Sequence, residues 1–362
     1  MTSVPPPADP SIPHTEGTPP PPSAQPSVTH EAPADPAKRI DTDGVPGRVP
    51  WKAIAVYCAI ALIGAWIAML PLWLSGTRIA DADMMQFQLL TLAMMYTPTI
   101  AALVAVFAVQ RPDKPARMLG LRGGSVGSTI VLVLIAWIVP AAVNLIGAAI
   151  AGAIGAFPAD FANNSLLVET MTQQMPPGSE IPPAPVLMAI FIFNTVVFQI
   201  PLASIAAFGE ELGWRGFLTP ALHPLGLWPM VGISSLIWGV WHAPLILLGY
   251  NFGDSGWLGV LLMCVFCLCI GTFFVWLRLR SRTVWPAVIG HGAINATAAT
   301  GVLLFGQASG DQSLQLSDIW PAWVIMLVIG VALLLSLSKG QARRREIPSD
   351  DTHAPAGPAV AA

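Results

Sequence analysis

Three groups of residues that could do chemistry lie inside strongly apolar segments of this 362-residue chain. In chain order they are Glu210, Glu211 and Arg215; then Trp238 and His242; then His291 and Asn295. A charged side chain at the centre of a membrane costs roughly 2.5–3.5 kcal/mol on insertion scales, so such residues are functional candidates by default. Together the three groups suggest a catalytic site built inside a lipid bilayer.

The two adjacent glutamates of the first group have different surroundings. Glu211 and Arg215 are four residues apart, which places them on one face of a helix, where they can neutralise each other. The simplest interpretation of that pair is structural. Glu210 points about 100° away around the helix and has no cation at helical spacing. A poorly hydrated carboxylate can accept a proton from water, so Glu210 is the candidate general base, with a buried structural carboxyl as the alternative.

The two later groups each allow a structural and a catalytic interpretation. His242 comes four residues after Trp238 and directly precedes Ala243 and Pro244, where the proline is expected to end or kink the helix. His291 and Asn295 share one helix face among glycines and alanines, which favours close helix contact and interhelical hydrogen bonds. Two donors on one face could equally stabilise a developing oxyanion.

The composition sets the class of protein. The chain is 54% hydrophobic and only 10% charged, with a mean hydropathy of +0.65, whereas soluble domains carry about 25% charged residues. These values predict an all-α polytopic membrane protein whose partner is the lipid bilayer, with no role for nucleic acid. The cysteines Cys58, Cys264, Cys267 and Cys269 lie in apolar runs and are interpreted as structural.

Eight hydrophobic segments are each near the roughly 20 residues that a membrane-spanning helix needs. They cover approximately residues 51–74, 86–110, 128–153, 186–209, 229–249, 257–277, 285–305 and 320–338. The fourth is expected to continue past Arg215 toward Leu222, since that would move Glu210 deeper into the membrane. If the chain crosses the membrane once at each segment, 16 of the 17 Lys and Arg residues fall on the same side of the membrane, and Arg78 alone falls on the other. The positive-inside rule therefore predicts that both termini are cytoplasmic.

The regions outside the spans define the domain organisation. Residues 1–48 contain clusters of proline and almost no large apolar side chains, so we expect a disordered cytoplasmic tail. Residues 49–338 are expected to form the membrane domain, with the motif-bearing core at 185–305. Residues 339–362 are first basic and then of low complexity, and we expect a second cytoplasmic tail. The Ala/Pro/Gly-rich tails favour a bacterial inner membrane.

The three motifs together resemble those of the CPBP family, the CAAX prenyl endopeptidase and bacteriocin-processing (Abi) intramembrane proteases. The family pattern is EExxxR, FxxxH and HxxxN (or HxxxH) on successive membrane helices. The matching positions here are Glu210, Glu211 and Arg215; Trp238 and His242; and His291 and Asn295. One position departs from the pattern, because Trp238 stands where the family usually has Phe.

The resemblance implies a glutamate-dependent intramembrane endopeptidase with no cofactor. Glu210 would activate a water that His242 helps to position, and His291 and Asn295 would hold the oxyanion. Glu211, Arg215 and Trp238 would structure the site. The implied partner is a membrane-anchored protein or peptide substrate.

Other chemistries and functions remain as alternatives. Glu210, His242 and His291 could form a site for a divalent metal, although the HExxH motif of zinc proteases is absent from the sequence. A serine protease would need a Ser–His dyad, and Gly232 and Ser234 match its Gly-x-Ser pattern only weakly. The chain could also be a transporter with discontinuous helices, or a non-catalytic immunity or scaffold protein of the same fold.

Overall fold

A computed structural model describes residue 41, residues 43–308 and residues 315–346. Residues 1–40 and 42 of the first predicted tail, and residues 347–362 of the second, lie outside the described residues. All regular secondary structure in the described ranges is helical, and an isolated bridge joins Ala159 to Gly306. The predicted all-α fold is thereby confirmed.

Eight main helices build the fold. They are α1 (Trp51–Ser75), α2 (Met84–Gln110), α3 (Val126–Ala153), α4 (Ala184–Leu225), α5 (Leu227–Trp241), α6 (Trp257–Ser281), α7 (Trp285–Phe305) and α8 (Trp320–Glu346). Short helical segments in the connections are Ile79–Asp81, Pro115–Met118, Ser165–Gln173, Ala243–Ile246 and Leu316–Ile319.

Each of the eight predicted hydrophobic segments overlaps one of these helices, but the prediction of a single spanning helix at 229–249 is wrong. In the described part of the chain, 7 helices are long and apolar enough to cross a membrane, so this is a multi-pass membrane protein. The exception is α5, which has 15 residues and ends at Trp241. Pro244 explains this break, because it has no N–H to continue the helix and its ring clashes with the preceding turn.

Helix α4 is much longer than its hydrophobic segment. It continues past Arg215 to Leu225, as expected from the position of Glu210, and contains π-helical segments at Thr195–Gln199 and Leu212–Leu218. Each π-helical segment ends two residues before a proline, Pro201 or Pro220, whose missing N–H interrupts the regular hydrogen bonding. Such segments are rare and are frequently found at functional sites. The second begins directly after Glu211.

The site is positioned by close helix packing. The middle of α4, Ile200–Glu211, packs most extensively on α7, and α5 packs on α6. Small residues allow these contacts: a Cβ added at Gly292 would overlap Ser204 of α4, and one at Gly239 would overlap Cys264 of α6. The large apolar side chains that remain exposed on the outer surface, such as Ile67 and Leu202, are suited to contact lipid.

The loops collect at the two opposite ends of the spanning helices. At one end, which we call the basic face, the segments 43–50, 111–125 and 282–284 meet: Arg282 Nε lies 2.7 Å from Asp43 Oδ1, and Val284 N–H donates to Gly120 O. At the other end, the opposite face, the segments 76–83, 154–183 and 247–256 are found. There Ile79 N–H donates to Leu248 O.

Candidate active site

Glu211 belongs to a buried polar cluster. Its Oε1 lies 2.9 Å from Arg215 Nη1 and 2.9 Å from His291 Nδ1, and all three side chains are buried. The Arg215 guanidinium also lies 4.2 Å from the centre of the Trp238 ring, a cation–π contact. Glu211 and Arg215, four residues apart, thus form the predicted ion pair. His291 of α7 also bonds to Glu211.

Glu210 is held by two tryptophans. Its Oε2 accepts hydrogen bonds from Trp238 Nε1 at 2.8 Å and from Trp214 Nε1 at 3.2 Å. Both donors are neutral, so they orient the carboxylate without cancelling its charge. Trp238 stands where the motif that this sequence resembles usually has Phe, and a phenyl ring could not make this bond. The departure from the family pattern therefore has a direct consequence for Glu210.

His242 lies where α5 breaks. Its Nδ1 is 2.9 Å from the carbonyl oxygen of Trp238, and because a carbonyl can only accept, Nδ1 must carry the hydrogen. The backbone N–H of His242 donates to Gly239 O instead, which leaves the Trp238 carbonyl available for the ring. Nε2 is then the ring atom left to interact with a water or substrate.

His291 links the two glutamates. Since Nδ1 donates to the carboxylate of Glu211, the Nε2 atom is the one that faces Glu210, at 3.9 Å from Oε1. The ring packs against Phe274, with centroids 5.8 Å apart, and against the edge of Trp238. Asn295 lies one turn further along α7 and is exposed. Trp238 of the second motif, on α5, and His291 of the third motif, on α7, thus contact the glutamates of the first motif on α4.

A cavity of about 90 Å³ connects these residues. Its lining includes Glu210, Trp238, His242, His291 and Asn295, whereas Glu211 and Arg215 lie behind it. One water occupies roughly 30 Å³ in the liquid, so the cavity can hold a few waters beside polar partners. All four predicted catalytic residues therefore border one space in which a water and a peptide carbonyl could meet.

The sequence interpretation missed two contacts. Trp214 is four residues after Glu210, so helical spacing would identify it as a neutral donor to this carboxylate. The prediction that Glu210 has no partner on its own helix took only cations into account. The bond between His291 and Glu211 had no signal in the sequence, because it depends on how α7 packs against α4. Within the described residues, no three His, Cys, Asp or Glu side chains are grouped so that they could hold a metal ion.

Comparison with known proteins identifies one family. The family model described as type II CAAX prenyl endopeptidase, Rce1-like, matches residues 192–297. That range contains all seven residues of the three motifs, the whole of α5 and α6, and the parts of α4 and α7 that carry the first and third motifs. A comparison with curated proteins finds no match. The match over residues 192–297 supports the assignment of this multi-pass membrane protein to the CAAX-type (CPBP) family of intramembrane proteases.

Proposed function

We propose that this protein is an endopeptidase that hydrolyses peptide bonds of membrane-associated proteins or peptides with a water activated by Glu210. The observation that carries the proposal is the contrast between the adjacent carboxylates. Glu211 is bound to Arg215 and His291, whereas Glu210 is bound to neutral N–H donors and borders the cavity. A carboxylate beside a water-sized space has the chemistry of a general base.

The proposed reaction begins with a water in the cavity. Glu210 takes one proton from this water while the water oxygen forms a bond to the carbonyl carbon of the substrate. The tetrahedral intermediate then breaks its C–N bond, and Glu210 passes the proton to the leaving nitrogen. The products are a new carboxyl terminus and a new amino terminus, and Glu210 returns to its starting form.

His242 is proposed to position the water. Its Nδ1–H is committed to the Trp238 carbonyl, so in the neutral ring Nε2 is an acceptor. Such an acceptor can accept a hydrogen bond from the O–H group of the water that Glu210 does not deprotonate. This hydrogen bond would fix the direction of the lone pair on the water oxygen. Holding reactants in the reactive geometry is a large part of enzymatic rate enhancement.

His291 and Asn295 are proposed to stabilise the oxyanion. Asn295 supplies an amide N–H, and His291 can donate from Nε2 in its imidazolium form, since Nδ1 already donates to Glu211. Both residues line the cavity from one face of α7. Donors that are fixed in position before the reaction need no reorganisation when the negative charge develops.

The proposed location is the inner membrane of a bacterium, with both termini in the cytoplasm. This orientation rests on the distribution of Lys and Arg along the chain. The proposed substrates are membrane-anchored proteins or peptides, because the site lies between membrane helices rather than in a soluble domain.

Comparative proteomics tests the proposed function. Membrane peptides would be compared between cells with the wild-type chain and cells with Glu210→Gln. We expect uncleaved precursors to accumulate in the variant and the matching fragments to disappear. Identical peptide patterns, with both proteins present at equal levels, would contradict the proposed peptidase activity.

A transporter of the same fold is the second candidate, favoured by the break in α5 at His242. Transporter sites are typically formed by discontinuous helices. Purified protein in lipid vesicles separates the two functions, because a peptidase cleaves a reconstituted substrate and a transporter moves a solute without cleaving anything.

A further inference from the structure

A buried arginine of α6 takes no part in the proposed reaction. The side chain of Arg278 is 2% exposed, and its Nε and Nη2 donate to the carbonyl oxygens of Arg215 and Met118, both at 3.0 Å. Gly44 and Gly120 leave space for the guanidinium, since a Cβ on either would lie 3.0 or 3.1 Å from one of its nitrogens. Among the described residues, Arg278 forms no ion pair with a carboxylate. A buried charge without such a partner is costly, so its two backbone contacts need an explanation.

The carbonyl of Arg215 lacks both of the donors that its own helix could supply. The N–H four residues further on, that of Thr219, donates instead to Trp214 O, which is the spacing of a π-helix. The residue five positions further on is Pro220, which has no N–H. Arg278 Nε therefore takes the place of the amide that Pro220 lacks.

The first π-helical segment of α4 provides a comparison. There Ile200 N–H donates to Thr195 O and Pro201 follows, so the carbonyl of Val196 is in the same position as that of Arg215 in the second segment. Within the part of the chain that the structure describes, no side chain donates to Val196 O. The arginine is thus found at the segment beside the two glutamates and not at the segment further from them.

The second π-helical segment carries the two side chains that hold the glutamates. Trp214 donates to Glu210 at 3.2 Å, and Arg215 donates to Glu211 at 2.9 Å. The segment begins directly after Glu211, so both pairs span the point where α-helical spacing changes to π-helical spacing. The direction of both side chains toward the glutamates therefore depends on this spacing.

Loss of the Arg278 bond would allow the spacing to change. The carbonyl of Arg215 would be buried without a donor, which is unfavourable. Thr219 N–H could satisfy this carbonyl by moving to it from Trp214 O, because Arg215 is its α-helical partner four residues before. That move would rotate Trp214 and Arg215 about the axis of α4 relative to the two glutamates.

We propose that Arg278 is a positioning residue for Glu210. By replacing the amide that Pro220 lacks, it fixes the π-helical spacing that directs Trp214 and Arg215 toward the glutamates. Arg278 acts through these side chains, since it is not among the residues that line the cavity. The consequence for cleavage rests on the proposed peptidase function, whereas the consequence for the geometry of α4 does not.

Arg278→Met tests the role of the guanidinium, because it keeps a long, unbranched side chain and removes every donor. We expect kcat for a reconstituted substrate to fall about ten- to a hundredfold, as for a misplaced catalytic group, with little change in KM. Hydrogen–deuterium exchange, measured by mass spectrometry without substrate, should become faster in peptides that cover 212–219. Arg280→Met is the control, because Arg280 is exposed on the same helix, and it should match the wild type in both measurements.

A second substitution distinguishes this role from general packing. Arg278→Met/Pro220→Ala restores an N–H at position 220, which can continue the π-helical pattern and donate to Arg215 O without Arg278. We expect this double variant to recover most of the lost kcat and the slow exchange. The matched control is Arg278→Met/Pro201→Ala, which restores an N–H in the first π-helical segment and should recover neither. If Arg278→Met does not fold, the same contrast is expected in the yield of folded protein.

Three results would overturn the inference. The first is wild-type kcat or wild-type exchange in folded Arg278→Met. The second is no recovery in Arg278→Met/Pro220→Ala, and the third is equal recovery in Arg278→Met/Pro201→Ala. The exchange measurements need no cleavage. If the wild-type chain cleaves nothing while exchange changes as expected, the proposed peptidase function fails and the role of Arg278 in α4 stands.

Discussion

The surroundings of Glu210 and Glu211 differ more than their adjacent positions suggest. On one side of α4, Glu211 lies with Arg215 and His291 in a packed polar cluster. On the other, Glu210 is held by Trp214 and Trp238 at the edge of a cavity. Glu211 makes its hydrogen bonds with Arg215 and His291. Glu210 makes its hydrogen bonds with neutral indoles and borders the cavity, with His291 Nε2 at 3.9 Å from its Oε1. The comparison shows that access and the charge of the partners, rather than residue type, separate a structural carboxylate from a candidate base.

The largest effect is expected for Glu210→Gln. The amide keeps the shape and can still accept from both indoles, but it cannot take a proton from water. Loss of a general base lowers rates by about 10²–10⁴-fold, so cleavage of a reconstituted substrate should fall by that factor. The thermal unfolding temperature in detergent should change little.

Glu211→Gln is the matched control for this substitution. It leaves Arg215 buried without its carboxylate, so we expect a lower unfolding temperature than for Glu210→Gln. If Glu210→Gln retained full cleavage, or if it unfolded as readily as Glu211→Gln, the distinction between the two glutamates would be wrong.

Arg215→Gln tests the buried polar cluster around Glu211. Removal of one partner of a buried ion pair costs about 3–5 kcal/mol, because a charge remains buried without compensation. We therefore expect a marked loss of folded protein, measured by size-exclusion chromatography and thermal unfolding. The double variant Glu211→Gln/Arg215→Gln removes both charges and should recover part of this loss. A double variant less stable than Arg215→Gln would argue against a neutralising pair.

Asn295→Ala tests the cavity side. Removal of one oxyanion donor lowers kcat by about 10²–10³-fold in characterised enzymes, and we expect a decrease of that size with little change in KM. The side chain is exposed, so stability should be nearly unaffected. An unchanged kcat in a folded variant would remove Asn295 from the proposed mechanism.

Trp238→Phe is expected to have a smaller effect. The substitution keeps an aromatic ring but deletes the N–H that donates to Glu210 at 2.8 Å, while Trp214 still donates. A hydrogen bond to a charged group contributes about 1.5–3 kcal/mol, so cleavage should change by roughly tenfold or more through misplacement of the carboxylate. Trp241→Phe is the control, because Trp241 lies on the same helix and donates to Thr97 instead. If the two substitutions reduced cleavage equally, the loss of cleavage in Trp238→Phe would be due to packing and not to the hydrogen bond with Glu210.

The smallest effect is expected from chelation. If Glu210 itself activates the water, exhaustive treatment with a strong chelator should leave cleavage unchanged. Activity that is lost on chelation and restored by one divalent metal would instead support the metal alternative. Tryptophan fluorescence would show whether any loss reflects unfolding.

Much of the fold could be predicted from the sequence because the membrane imposes simple requirements. Backbone polar groups in lipid must be satisfied within a helix, so the apolar segments between 51 and 338 identified the helices directly. The break in α5 followed from Pro244. The length of α4 was expected only because the depth of Glu210 required it, since Leu222 lies well beyond the apolar segment that ends near 209.

The candidate site was predicted in part. The three motifs named its residues, and the Glu211–Arg215 pair followed from helical spacing. The indole bonds of Glu210 and the bond between His291 and Glu211 could not be derived, because each depends on rotamers and on the packing of α4 against α5 and α7.

The sequence by itself determined the membrane class, the helices, the identity of the seven motif residues and the charge difference between the two faces. These properties depend on local composition and on spacing along one helix. Only the tertiary structure decided which glutamate faces the cavity and which donors hold it. Those properties arise from contacts between helices distant in sequence, where the position of a small residue such as Gly292 sets how closely two helices approach.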